Sequence, residues 1–240
     1  MSNPTNDKPS FKNVIKTTWR IFKQHLKPIA AIVILVYLPI NLFMEFSPLV
    51  KMDSYDIEAL LQVVRFSGLY ELIIGSFAAI LLILLTKRAY DGQKTTFGDL
   101  WSKEFNIKIY GRYLWTTFFK NLLIGICLLL LIVPGIVFGV FWLFAEQIAV
   151  LGDEGGTRAL KISQALVKDK WFQIFWLMLA GILAALLPVN ILTLGLQMYV
   201  KHWSVNLATS FLVDFGQGFF IIYLTVIYLE LIKGQNAGSK

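Results

Sequence analysis

The sequence predicts an all-α integral membrane protein in which six transmembrane helices form three hairpins, accompanied by amphipathic interfacial helices. Three observations carry that reading. Hydrophobic residues make up 57% of the 240 residues and charged residues only 15%, whereas soluble domains average about 45–50% and about 25%. Six apolar runs approach the length of about 20 residues that a crossing helix needs. The cations are sorted by side: 18 of the 22 Lys and Arg lie on alternate flanks of those runs, Lys51, Arg65 and Lys201 lie on the other flanks, and Lys120 falls inside a run. Cytoplasmic flanks are enriched in Lys and Arg, so both termini are expected in the cytoplasm, with an even number of crossings and residues 1–240 as a single polytopic membrane domain.

The first element is a basic amphipathic helix within a cytoplasmic tail, residues 1–27. At about 100° per residue, Phe11, Val14, Ile15, Thr18, Trp19, Ile21, Phe22 and Leu26 share one arc and Lys12, Lys16, Arg20, Lys23 and Lys27 a neighbouring one. A helix lying in the interface with its cations toward anionic headgroups has this pattern, which makes those five cations candidate lipid-headgroup contacts. The apolar run that follows has no small-residue cleavage site, so it is expected to remain as a span.

The spans are expected at about 28–46, 68–86, 114–133, 136–151, 171–187 and 207–232. Basic amphipathic preludes also precede the third span (Phe97 to Arg112) and the fifth (Thr157 to Lys170), and prolines stand near the ends of the odd spans at Pro39, Pro134 and Pro188. The pattern suggests three units, each an interfacial helix followed by a hairpin. Outside, Asp53 or Ser54 is placed to cap a short helix bearing Ile57, Leu60, Leu61 and Val64. Val189 to Ser204 either lies in the outer interface or prolongs the fifth span.

Ionisable groups inside spans are the first place to look for function, because charge in hydrocarbon is costly. Lys120 and Glu146 reach similar depth if the hairpin turns at Pro134-Gly135. They form either an ion pair that fixes the hairpin's register or the lining of a polar cavity for a headgroup or ion. Glu71 and Asp214 form a second pair of candidates, both in the outer half. They are either reached by water or joined in a proton or cation site between the second and sixth spans.

Other chemistries have no footing. One cysteine, Cys127, forms no internal disulfide, and His25 and His202 are too few for a histidine metal centre. No HExxH, GxSxG or Walker motif occurs, and Asp214-Phe215-Gly216 is a chance kinase-like triplet in an apolar run. No enzyme activity, no cofactor and no nucleic-acid partner are expected.

Residues 89–187 carry a set of local features in order. Asp91-Gly92 precedes Thr96-Phe97-Gly98-Asp99-Leu100. An apolar helix then ends at Val133-Pro134-Gly135, a second helix returns, and a glycine-bearing turn spans Gly152 to Gly156. An amphipathic helix follows with Ser163, Leu166, Val167 and Lys168 before Trp171. This stretch resembles a group of bacterial inner-membrane proteins related to the membrane domain attached to some glycerophosphodiester phosphodiesterases. The resemblance implies a six-span architecture in the bacterial cytoplasmic membrane. It brings no catalytic residue, because the phosphodiesterase activity belongs to a separate soluble barrel. The expected role is that of a non-enzymatic membrane partner, scaffold or regulator, with anionic lipids and a membrane protein or second copy as partners. The alternative is a small transporter or lipid-handling protein with a polar site between spans.

Overall fold

A computed structural model describes residues 9–46, 57–200 and 202–238. Among these residues every regular element is helical, and six helices are long and apolar enough to cross a membrane. They are Leu26–Phe46, Val64–Tyr90, Ile107–Leu130, Ile132–Leu151, Thr157–Tyr199 and Trp203–Gln235, here called the first to sixth spans. The protein is thus an all-α, six-span membrane protein. Asp53, Ser54, Lys8, Lys51, Lys201 and Lys240 lie outside the described residues.

The sixth span is the most buried and the third the least. The sixth packs against the first, second and fifth spans and against the amphipathic helix Phe11–Gln24, and it seats Tyr223 without any exposure. The Tyr223 hydroxyl donates to the Leu177 carbonyl at 2.8 Å. Its ring lies where a Cβ on Gly181 would stand, 2.4 Å from that position, so only glycine admits this crossing.

The amphipathic helix does not offer its whole apolar arc to lipid. Val14, Thr18 and Ile21 are buried, and Phe22 meets Phe219 of the sixth span edge-on at 5.3 Å. Phe11, Trp19 and Leu26 stay exposed beside Lys12, Lys16, Arg20, Lys23 and Lys27, with the Lys23 ammonium 5.0 Å from the Trp19 ring centre. Burying one stripe docks the helix and leaves the Trp and Lys edge outward.

Three local readings change. The turn between the third and fourth spans is the single extended residue Leu131 (φ −157°, ψ 129°). Pro134 and Gly135, expected as that turn, lie in the first turn of the returning helix. Proline is tolerated there because first-turn N–H groups have no partner within the helix. Gly135 serves close packing instead, since a Cβ would fall 2.4 Å from Leu128 Cδ2. Pro39 and Pro188 likewise sit within helices, and the helix continues past Pro188 to Tyr199, so the fifth span is prolonged. The prelude to the third span is a capped turn, Phe97–Asp99, and a π-helical turn, Leu100–Glu104, with the span itself starting at Ile107 behind the cap Asn106.

The fourth span breaks at Trp142 to Phe144. Fully buried Ser163, on the amphipathic helix Thr157–Val167, repairs the break: its hydroxyl donates to the Phe141 carbonyl at 2.7 Å and accepts from the Phe144 N–H at 3.2 Å. Gly156 caps that helix; its φ of 59° favours glycine, and its N–H donates to Thr116 Oγ1 at 2.7 Å.

Candidate functional site

The second span carries small residues in helical register. Gly68, Gly75, Ser76 and Ala79 recur at spacings of three, four and seven, so they fall on one face. A helix face stripped of side-chain volume leaves a groove wherever its neighbour does not fill the space. Here the neighbour is the third span, which presents Tyr113, Thr117 and Asn121, also spaced by four. Glu146 and Gln147 of the fourth span and Ile221 and Leu224 of the sixth close the groove into a cavity of about 410 Å³. That is within the range of small-molecule sites, roughly 300–1,000 Å³.

Two carboxylates line this cavity. Glu71 opens a five-residue π-helical turn, Glu71–Gly75, a backbone form that recurs at functional sites. Its carboxylate folds back over Gly75, where an added Cβ would stand 2.6 Å from the Glu71 carboxyl carbon and 2.7 and 2.8 Å from its oxygens. Glycine at 75 is therefore what makes room for the carboxylate. Tyr37 of the first span donates its hydroxyl to Glu71 Oε1 at 3.2 Å, and Glu71 stays exposed to the cavity.

Glu146 is held differently. The Lys120 ammonium and the Thr117 hydroxyl both donate to its Oε1, the latter at 3.3 Å. The hairpin thus joins Lys120 and Glu146 in an ion pair whose Glu146 member lines the cavity wall. The charge of Glu146 is met by Lys120, whereas the partner of Glu71 is a neutral hydroxyl. Gln147, only 2% exposed, turns its carbonyl oxygen Oε1 toward no hydrogen-bond partner. A buried amide oxygen without a partner carries a desolvation cost of about 1–3 kcal/mol, and its neighbours leave this one almost no accessible surface.

Asp214 does not reach this site. It is 8% exposed and accepts from Asn41 Nδ2 at 2.7 Å. The two carboxylates of the expected site between the second and sixth spans stand close enough to act on one another electrostatically, each is hydrogen-bonded by the first span, through Tyr37 and Asn41, and of the two Glu71 lines the cavity. Glu45, one further turn along the same face, accepts from Asn206 of the sixth span at 3.3 Å. The sequence reading missed Tyr37, Asn41, Gln147 and Gly75. A spacing of four from Tyr37 to Asn41 to Glu45, and the small-residue register of the second span, were the available signals.

Among the charged groups of the lining, the Glu71 carboxylate is the one that no cation meets. Among the described residues no group of three or more His, Cys, Asp or Glu converges to hold a metal ion. The arrangement suits a small cationic group bearing N–H donors. No family model, no curated protein and no solved structure matches the chain, so the groove is interpreted from its own geometry.

Proposed function

We propose that this protein is a non-enzymatic multi-pass membrane protein that binds a ligand's ammonium group between its second, third and fourth spans, in a transport or lipid-handling role. One observation carries the reading: an intramembrane cavity of about 410 Å³ holds Glu71, which no cation meets, beside Glu146. A purely architectural role gives no reason to keep an open carboxylate without a cation in such a cavity, since it costs stability. The basic end of the bundle faces the cytoplasm, which the 18 Lys and Arg on its flanks support. The resemblance of residues 89–187 supports a bacterial cytoplasmic membrane. The amphipathic helix adds contact with anionic headgroups through Lys12, Lys16, Arg20, Lys23 and Lys27.

The test is binding of primary alkylamines, from ethylamine to dodecylamine, to the protein in phosphatidylcholine discs, followed by native mass spectrometry. One amine per chain is expected for at least one member, with affinity about tenfold lower in Glu71→Gln, the loss of one charge-assisted contact. Glu45→Gln, remote from the cavity, leaves binding unchanged. A series in which no amine binds, or in which Glu71→Gln binds as well as wild type, overturns the reading.

A further inference from the structure

The rim of the groove lies on the flank of the bundle. Gly68 of the second span and Asn121 of the third line the cavity and are both exposed. A methyl group added at Gly68 meets no atom within 4 Å, so the space beside it is open. Asn121 is separated from the end of its helix at Leu130 by about 14 Å of helix, at ~1.5 Å per residue. Gly68, in contrast, stands only four residues from the start of the second span at Val64, so the opening lies beside that end of the second span and within the third.

The surface around that opening is of the kind that meets acyl chains. Leu69 is 58% exposed on one side and Leu122 46% on the other, with Ile73 and Ile126 exposed beyond them. Inside the rim the lining turns polar at Glu71, Gln147 and Glu146, and returns to apolar at Ile83, Ile221 and Leu224. Polar groups reached through an apolar mouth match a molecule with a charged head and an alkyl tail. Resting on the amine-binding reading above, we infer that the ligand is an amphiphile that enters sideways from the bilayer between the second and third spans. Its ammonium group seats at Glu71, and its chain remains against Leu69 and Leu122.

The experiment compares dodecylamine with ethylamine in the same discs, for wild type, Gly68→Ala and Gly68→Trp. Residue 68 is exposed, so neither replacement disturbs packing. Dodecylamine is expected to bind wild type at least about 100-fold more tightly than ethylamine, as its longer chain concentrates it in the bilayer. Gly68→Ala retains that binding, and Gly68→Trp, whose indole fills the mouth, abolishes it. Undiminished dodecylamine binding by Gly68→Trp overturns lateral entry whatever the chain-length preference. Ethylamine binding as tight as dodecylamine overturns it too, while leaving the amine site intact. Failure of both amines to bind any of the three proteins instead overturns the reading on which it rests.

Discussion

Glu71 and Asp214 are carboxylates of similar expected depth, and the first span hydrogen-bonds both, yet they sit in opposite environments. Asp214 is enclosed by helices and satisfied at 2.7 Å by an amide. Glu71 lies over a glycine in a π-helical turn and faces open space. Residue type does not separate the two. The space left by the neighbours does: Gly68, Gly75, Ser76 and Ala79 withdraw volume beside Glu71, while the sixth span is packed along the first and second. A buried, partnered carboxylate acts as a joint between helices, and the open one is the binding group proposed above.

The largest change in stability is expected where a pair shares the cavity wall. Lys120→Met leaves Glu146 without its cation, and the protein is expected to lose about 3 kcal/mol, read as a fall in thermal midpoint in detergent. The charge-swapped double variant, Lys120→Glu with Glu146→Lys, recovers part of the loss. Equal midpoints for Lys120→Met and wild type would show that the pair contributes nothing to the fold.

Next comes the packed side of the comparison. Ser163→Ala orphans the Phe144 N–H and the Phe141 carbonyl together, a loss of about 2 kcal/mol, and amide exchange at Phe144 should accelerate. Unchanged protection there would mean that the break in the fourth span is held by something else. Asp214→Asn removes charge assistance from the contact with Asn41, for a loss of about 1 kcal/mol. Amine binding should stay at the wild-type level. Weakened binding in this variant would erase the distinction between the two carboxylates.

The smallest change in stability sharpens the comparison most. Gly75→Ala gains up to about 1 kcal/mol of helix propensity, offset by the collision with the Glu71 carboxylate. The net shift in midpoint is expected to be slight, while amine binding is lost because Glu71 is displaced. Retained binding would show that the carboxylate does not need its seat over residue 75.

Much of the architecture is legible without coordinates because membrane helices must satisfy their own backbone groups. That requirement turns each long apolar run into a helix. The pairing of Lys120 with Glu146 is legible for a similar reason: sequential helices joined by a tight turn have a register that can be counted. The count survives the move of the turn from Pro134-Gly135 to Leu131, since the break at Trp142 to Phe144 reshapes the returning helix. The joint placement of Glu71 and Asp214 was not legible. Their partners Tyr37 and Asn41 lie on a third helix, and no loop length relates its register to theirs.

By itself, the sequence determined what local chemistry determines: six apolar helices, the side on which the cations gather, and which carboxylates are costly enough to need a reason. The tertiary structure alone decided which of them is enclosed between helices and which faces open space. That choice depends on volume left unfilled between helices distant in sequence, a property of packing that no single helix carries.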